Sequence, residues 1–212
     1  MNIIILGPQG SGKGTQARLL AEKLGLFYFE MGGFLRELAK KDPLTDDILK
    51  KGQLIPDDMF FFAMKELLEE KISQNKGIIL DGFPRTVKQF ESLKNWFDEV
   101  NIKIDKAIFL DISDKEAIRR LSARRICEKC GEVFNLATAP KPKDLKKCDK
   151  CGGRLIQRKD DNPDSIRKRL EQYRINTLPL LDLFEKERIL IKVNGERPIE
   201  DIASDLFKLV TA

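Results

Sequence analysis

The chain begins with a short apolar run that leads directly into a glycine-rich stretch, and no other feature constrains the fold as strongly. Residues 3–6 are apolar, and residues 7–17 read GPQGSGKGTQA. Where a strand turns into a helix in this way, glycines let backbone N–H groups point inward and bind phosphate oxygens. The usual phosphate loop continues from its lysine into serine or threonine, whereas Gly14 follows Lys13 here and Thr15 comes one residue later. The stretch therefore predicts a phosphate-binding loop of a modified form.

Short apolar segments alternate with helical patterns along the chain. The apolar segments are residues 3–6, 27–29, 78–80, 107–112 and 189–193. None shows the alternation of a half-exposed strand, which indicates parallel strands buried on both faces. Helical patterns occupy residues 15–24, 57–72, 86–100, 115–125, 164–178 and 199–209. This order predicts an α/β fold, a doubly wound parallel sheet of five strands that carries the phosphate loop.

Two segments interrupt the alternation, and we interpret both as insertions on a single core. Residues 30–55 contain helical pieces without a strand, and residues 126–160 contain all four cysteines. The predicted core then comprises residues 1–29, 56–125 and 161–212. Hydrophobic residues make up 42% of the 212-residue chain, which is enough for one sizeable core.

Composition narrows the possible partners. The formal net charge of +5 favours anionic ligands, either polyphosphates or nucleic acid. No apolar run is long enough to cross a membrane, so we expect no membrane partner. The start of the chain reads as a strand rather than a signal peptide, and we expect a cytoplasmic protein. Histidine is absent, which excludes imidazole bases and imidazole metal ligands.

The cysteines have the spacing of a metal site. CEKC occupies residues 127–130, CDKC occupies residues 148–151, and residues 131–147 separate the two pairs. This is the spacing of tetracysteine zinc sites, in which four thiolates leave no open position for chemistry. The pattern predicts a structural Zn²⁺ held by Cys127, Cys130, Cys148 and Cys151. Disulfides, which need an oxidising compartment, and iron at the same four sulfurs are the alternatives.

The glycine-rich stretch resembles the phosphate loop of adenylate kinases, whose form Gly-x-x-Gly-x-Gly-Lys-Gly-Thr includes the late threonine. Other motifs of that family follow in its order: LDGFPRT at residues 80–86, ARR at 123–125, RKDD at 158–161 and IRKRL at 166–170. The resemblance covers essentially the whole chain. It implies reversible phosphoryl transfer from ATP, with Mg²⁺, to AMP, giving two ADP. It also implies that residues 30–55 are a nucleoside-monophosphate-binding insert and that residues 126–160 are a zinc-ribbon lid.

The resemblance also implies roles for individual residues. The ATP-binding residues would be Gly10, Ser11, Gly12, Lys13, Gly14, Thr15, Arg120, Arg124 and Arg197. The AMP-binding residues would be Met31, Arg36, Gln53, Leu54, Ile55, Gly82, Phe83, Pro84, Arg85, Gln89, Arg158 and Arg169. The catalytic cations would be Lys13, Arg85, Arg124, Arg158 and Arg169, which suit a migrating phosphoryl group because they neutralise its spread charge. Asp81 would hold water around Mg²⁺, and Asp160 and Asp161 would order the arginines.

The chain departs from the family pattern at the monophosphate site. Met31 replaces the usual threonine, and Gly33 replaces an aspartate. Because a thioether is a poor hydrogen-bond acceptor and adapts to varied shapes, we expect looser monophosphate selectivity.

Phe60, Phe61 and Phe62 follow one another on one predicted helix and cannot all face one core, since neighbouring side chains lie about 100° apart. The resemblance implies a monomer, while self-association through these rings and a helix between two layers both stay open.

Two other functions compete with adenylate kinase activity. A UMP/CMP-type kinase would share the fold, although Gln89 favours adenine. A nucleotide-dependent zinc-ribbon protein that binds nucleic acid would explain the basic charge. The ribbon, however, lacks the interleaved aromatic residues that stack on single strands. We expect nucleotides as partners and no nucleic acid.

Overall fold

The structure is a computed structural model that describes residues 1–43, 45, 47, 57–74, 76–158 and 160–211. Its centre is a parallel sheet of five strands, β1 (Asn2–Leu6), β2 (Phe27–Glu30), β3 (Ile78–Asp81), β4 (Lys106–Asp111) and β8 (Leu190–Asn194). They lie in the order β2-β3-β1-β4-β8, and every pair is parallel. The predicted α/β fold with a parallel five-stranded sheet is confirmed.

Helices cover both faces of this sheet. They are α1 (Lys13–Leu24), α2 (Met31–Lys41), α3 (Asp57–Ser73), α4 (Val87–Glu99), α5 (Asp114–Ser122), α6 (Pro163–Asn176), α7 (Leu180–Lys186) and α8 (Ile199–Thr211). On one face Ile3 and Ile5 pack with apolar residues of α1 and α8, and on the other Ile4 and Leu6 pack with those of α3, α4 and α7. Residues of β1 therefore contribute alternately to two cores, as a doubly wound sheet requires. None of the described helices combines the length and hydropathy that a membrane span needs.

The carboxyl ends of the strands bring the motifs to one edge. Ile5 of β1 lies opposite Asp81 of β3, and Leu6 lies opposite Phe109 of β4. The glycine-rich stretch after Leu6 and the LDGFPRT stretch that begins in β3 therefore start side by side. Because β1 lies between β3 and β4, this edge is the crevice in which open α/β sheets bind their ligands.

One predicted helix is wrong at its end. The pattern over residues 115–125 predicted a helix through Arg125, but α5 ends at Ser122 and β5 (Arg124–Cys127) follows. This strand forms a small antiparallel sheet with β6 (Val133–Asn135) and β7 (Leu155–Ile156), in the order β6-β5-β7. Arg124 and Arg125 pair with residues of β6. A four-residue strand that contains two arginines shows no apolar period from which to predict it.

Helix α7 was not predicted. It follows Pro179 and buries Leu180 and Phe184 against the core beneath the sheet. Its seven residues are too few to show a helical period, which explains the omission.

The three adjacent phenylalanines of α3 divide as the helix geometry requires. Phe61 packs against Phe83 and Trp96, whereas Phe62 is 72% exposed. The Phe60 side chain lies outside the part of the chain that is described. The exposure of Phe62 is consistent with a self-association surface, which stays a prediction.

Candidate functional site

Glycines shape the loop between β1 and α1. Gly10 and Gly12 have φ angles of 86° and 92°, a left-handed backbone that side chains rarely adopt. A Cβ atom at Gly7 would lie 2.5 Å from the carbonyl oxygen of Leu110, so the loop passes directly against β4. Gly12 precedes α1 without a side-chain cap. The positive end of a 12-residue helix therefore meets the loop, an arrangement that binds phosphate.

Lys13 lies over this loop. Its Nζ donates a hydrogen bond to the carbonyl oxygen of Pro8 at 3.1 Å. Burial lowers the pKa of Lys13 to about 8, against the opposing effect of Asp81, and the charges of Arg85, Arg124 and Arg169 lower it further. Each of the three arginines therefore lies close enough to Lys13 to repel its charge, and an anion beside Lys13 would be stabilised.

Asp81 faces the same loop from the end of β3. It is 7% exposed, and burial raises its pKa, while the Lys13 charge and a hydrogen bond from Tyr28 oppose the rise. The Tyr28 hydroxyl donates to Asp81 Oδ2 at 2.9 Å. A Cβ atom at Gly14 would lie 3.2 Å from Oδ2 and 3.4 Å from the Tyr28 hydroxyl oxygen. Glycine at position 14 therefore leaves room for this pair beside the first turn of α1.

The residues after Asp81 form a tight turn through a cis peptide bond between Phe83 and Pro84. Arg85 folds back over the turn, and its Nε donates to the carbonyl oxygen of Gly82 at 2.8 Å. Its backbone N–H donates to Gln89 Oε1, also at 2.8 Å. Arg85 remains accessible to solvent, yet partial desolvation lowers its pKa, while Asp81 and Glu30 raise it. The turn thus holds a guanidinium next to Lys13.

The arginines at the base of the small antiparallel sheet converge on one carboxylate. Arg124 donates from Nε and Nη2 to the two oxygens of Asp161, at 2.8 and 2.6 Å. Arg169 of α6 donates to Asp161 Oδ1 at 3.1 Å and also pairs with Asp160. Burial and the nearby charge of Arg124 lower the pKa of Arg158. The ion pairs expected of Asp160 and Asp161 are present.

A cavity of about 450 Å³ opens beside Arg158 and Asp161. Its volume is within the range of small-molecule sites in proteins. The space is open to solvent and lies between the end of α5 and the start of α6, with Arg158 and Asp161 in its wall.

Arg120 joins the glycine-rich loop to the loop after β8. Its Nη1 donates to the carbonyl oxygens of Gly195 at 2.9 Å and Gly10 at 3.4 Å. Its Nε donates to Glu116, whose pKa the hydrogen bonds from Arg119 and Arg120 lower to about 2. The guanidinium of Arg120 is thus fixed at the edge of the loop.

Arg197 is differently placed from the other predicted ATP-binding residues. It pairs with Asp205 of α8 at 2.7 Å. Within the described ranges no hydrogen bond joins it to the glycine-rich loop, although it follows Gly195 by only two residues.

The predicted monophosphate residues are described in part. Met31 begins α2 and is buried in the core cluster that includes Phe29 and Phe83. Arg36 pairs with Glu30 at 3.5 Å on an exposed surface. Gln53, Leu54 and Ile55 lie outside the described residues.

Glu30 occupies the space beside the two glycines that follow Met31. A Cβ atom at Gly33 would lie 2.9 Å from Glu30 Oε2, and one at Gly32 would lie 3.0 Å from Oε1. The carboxylate that the family pattern places at position 33 is therefore replaced in this region by one from position 30.

The four cysteines form a compact cluster. Their sulfurs all lie within 4.8 Å of one another, with Cys127 and Cys151 at 3.4 Å and Cys130 and Cys148 at 3.6 Å. A tetrahedral Zn²⁺ with bonds of about 2.3 Å requires sulfurs about 3.8 Å apart, so the cluster fits such an ion. Backbone N–H groups of Gly131 and Gly152 donate to the carbonyl oxygens of Cys127 and Cys148, which closes both turns. Backbone N–H groups lower the pKa of Cys127, whereas hydrogen bonds with the neighbouring sulfurs raise that of Cys130, so the thiols of this cluster share their protons.

Two residues of this site were not predicted from the sequence. Tyr28 and Glu30 lie on β2, and Glu30 is in register with Asp81 of the neighbouring strand. A hydroxyl and a carboxylate in an otherwise apolar strand were the available signal. Their partners became visible only with the pairing of β2 and β3.

Comparisons with known proteins agree on one family. A family model described as adenylate kinase matches residues 5–189. An adenylate kinase of Archaeoglobus fulgidus is 43% identical over 210 residues, which cover 97% of this chain and 96% of the relative. An adenylate kinase of Methanocella arvoryzae is 41% identical over 97% of this chain and 96% of the relative. One of Pyrococcus furiosus is 42% identical over 95% and 92%.

Proposed function

The chain belongs to the adenylate kinase family, and from this premise we propose how its own residues divide the work of phosphoryl transfer. The enzyme transfers a phosphoryl group reversibly from ATP to AMP and forms two ADP. The observation that carries the proposal is that three arginines converge on Lys13. The charges of Arg85, Arg124 and Arg169 all lower its pKa. No observation favours a UMP/CMP-type kinase or a nucleic-acid-binding protein over this activity.

We assign the triphosphate to the glycine-rich loop. Backbone N–H groups of residues 10–15 would surround the phosphates, and Lys13 would exchange its hydrogen bond to Pro8 for one to a phosphate oxygen. The negative charge of a bound phosphate would offset the repulsion between Lys13 and the arginines near it. Arg120, fixed at the edge of the loop, and Arg197 are proposed to contact the nucleoside of ATP.

Mg²⁺ bound with ATP neutralises phosphate charge and orients the phosphate oxygens. Asp81 fits this ion because its carboxylate lies at the edge of the sheet, nearly buried and beside Gly14. The Lys13 charge lowers the pKa of Asp81 and so favours its ionised form. We propose that Asp81 holds the ion through its water shell.

The arginines are proposed to stabilise the charge that develops during transfer. The transition state spreads negative charge over the equatorial oxygens, and planar guanidinium groups bind such oxygens in pairs. Asp161 holds Arg124 by two hydrogen bonds and Arg169 by a third, which reduces their mutual repulsion. Arg158, desolvated beside Arg124, would complete the set when the lid excludes water.

The monophosphate is assigned to the surface between α2 and the turn after β3. Arg36 and Arg85 would bind its phosphate, and Met31, Gly82, Phe83, Pro84 and Gln89 would line the base and ribose. Relaxed base selectivity is proposed because position 31 carries a soft thioether in place of a hydroxyl. Gln53, Leu54 and Ile55 stay predictions for this site.

The tetracysteine cluster suits a metal ion, and we propose structural Zn²⁺. The lid has a small apolar cluster that includes Phe134 and Leu155 besides cysteines. A metal that joins its two turns substitutes for a larger core. A monomeric, cytoplasmic enzyme remains the expectation.

Disproportionation of ADP tests the activity. Purified protein with Mg²⁺ and ADP alone is expected to form ATP and AMP in equal amounts, measured by ion-exchange chromatography. Lys13→Met should abolish most of this conversion, and Lys186→Met, which changes an exposed lysine on α7, should not. A native protein that leaves ADP unchanged would contradict the proposal.

A further inference from the structure

A phenol, a carboxylate and a glycine meet where the first helix begins. The hydroxyl of Tyr28 donates to Asp81 Oδ2 at 2.9 Å. The Cβ position of Gly14 lies 3.4 Å from this hydroxyl oxygen and 3.2 Å from Oδ2. Position 14 is where the usual phosphate loop carries a serine or threonine hydroxyl that binds Mg²⁺. In this chain a hydroxyl from β2 therefore reaches the place where a side chain of α1 is missing.

We propose that Tyr28 is a positioning residue for the reaction: its hydroxyl fixes one oxygen of Asp81 and thereby directs the other toward the water shell of Mg²⁺. This inference rests on the role proposed for Asp81. Among the described residues no hydrogen bond reaches Asp81 Oδ1, so one carboxylate oxygen is held and the other is available. A phenol is protonated at neutral pH, since its ordinary pKa is about 10, and can only donate to a carboxylate.

A purely structural role explains this hydrogen bond less well. Strands β2 and β3 are already joined by their backbone ladder, in which Tyr28 lies opposite Ile79 and Glu30 lies opposite Asp81. The bond from Tyr28 thus adds orientation of one side chain rather than strand pairing. Arg18 lies over the Tyr28 ring at 5.6 Å and restricts its movement. The hydroxyl is therefore held by β2 and α1 together, at the loop where the phosphates are proposed to bind.

The chain contains two tyrosines, and the native protein can report on both. With ¹³Cζ-labelled tyrosine, the full-length enzyme should give two signals, from Tyr28 and Tyr173, and the Tyr173→Phe variant assigns them. ATP is added first and Mg²⁺ second. The Tyr28 signal is expected to shift at the Mg²⁺ step, while the Tyr173 signal stays in place. A Tyr28 signal that does not shift when Mg²⁺ is added would overturn the proposal. This test uses the native protein, so it holds even if no Tyr28 variant folds.

The Mg²⁺ dependence of the rate provides the second readout. Tyr28→Phe should raise the half-saturating Mg²⁺ concentration roughly three- to tenfold, less than the full effect of a hydrogen bond to a charged group, because Asp81 keeps its charge. Tyr173→Phe removes a buried hydroxyl that has no described partner and should leave this concentration unchanged. A Tyr28→Phe enzyme that loses stability or rate at every Mg²⁺ concentration alike would contradict the proposal.

Asp81→Asn separates the two levels of inference. If this variant keeps the native Mg²⁺ dependence, the proposed role of Asp81 fails and the role of Tyr28 fails with it. If Asp81→Asn changes the Mg²⁺ dependence and Tyr28→Phe does not, only the role of Tyr28 is wrong. Native protein that forms no ATP from ADP would instead refute the proposed function itself.

Discussion

Arg124 and Asp161 form a two-point ion pair that joins β5, the central strand of the small antiparallel sheet, to the segment before α6. Both guanidinium-to-carboxylate distances are below 2.9 Å, at 2.8 and 2.6 Å, and Asp161 is only 1% exposed. Such paired hydrogen bonds fix the plane of a guanidinium as well as its position. The same carboxylate also binds Arg169, so one buried anion orders two cations that would otherwise repel each other.

Replacing this anion should damage both stability and catalysis. Asp161→Asn leaves Arg124 without its charge partner and Arg169 with Asp160 alone. Losing one member of a buried pair costs about 3–5 kcal/mol. We expect the Tm to fall by roughly 6–15 °C and kcat to fall roughly 10- to 100-fold. Calorimetry and initial rates measure these changes. Asp164→Asn removes an exposed partner of Arg167 and should change neither, so equal losses in both variants would contradict this account.

The low pKa of Lys13 predicts a specific pH dependence of stability. Burial lowers its folded-state pKa from 10.5 to about 8, so the unfolded chain binds more protons between these values. Stability must then rise with pH in that window, by about 1–3 kcal/mol from this group. Urea unfolding of the unliganded enzyme from pH 7 to 10 measures the rise. Lys13→Met should lack this contribution, and identical pH profiles for the two proteins would disprove it.

The cysteine cluster predicts a metal content and a thermal effect. Native protein should contain one Zn²⁺ per chain by elemental analysis, since four thiolates close one tetrahedral site. Cys130→Ser should lower the metal affinity and reduce the Tm by about 5 °C or more. Metal-free protein should still bind ATP at the glycine-rich loop, because that loop belongs to the central sheet. Iron in place of zinc, or native protein that is unaffected by metal removal, would require another explanation.

The substitution at Met31 predicts broader use of monophosphates. With ATP as donor, the native enzyme should phosphorylate CMP, UMP or GMP at a measurable fraction of the AMP rate. Met31→Thr restores a hydroxyl and should increase the preference for AMP, by roughly five- to tenfold for one added hydrogen bond. A coupled assay with the four monophosphates compares the enzymes. Strict use of AMP by the native enzyme would refute the expectation.

Substitutions at positions 30 and 33 should have non-additive effects on the KM for AMP. Gly33→Asp places a Cβ atom where Glu30 Oε2 lies 2.9 Å away and brings two carboxylates together. This single change should raise the KM for AMP roughly five- to tenfold, because it displaces the carboxylate that pairs with Arg36. Glu30→Ser combined with Gly33→Asp should recover most of the loss. Additive effects in the double variant would show that the two positions do not share one space.

Much of the fold could be predicted from the sequence because the strands of the central sheet are apolar on both faces. Each of the five was predicted within one residue at either end, from β1 to β8. The sequence pattern predicted the end of a helix where β5 lies, because the pairing of Arg124 and Arg125 with residues of β6 leaves no local signal. Motifs identified the cations of the site, since they are defined by spacing along the chain. Tyr28 was missed because its partner, Asp81, lies 53 residues away on another strand.

The lid has an interior of its own, in which Cys127, Cys148, Phe134 and Leu155 pack together apart from the layers on either side of the central sheet. Cooperative unfolding depends on shared apolar packing, so we expect this segment to lose structure while the rest of the chain stays folded. Heating should therefore inactivate the enzyme before the body melts, and amide hydrogen exchange should be fastest between β5 and β7. The supply of metal to the cell would then set the upper temperature at which the enzyme works, independently of how stable its sheet is.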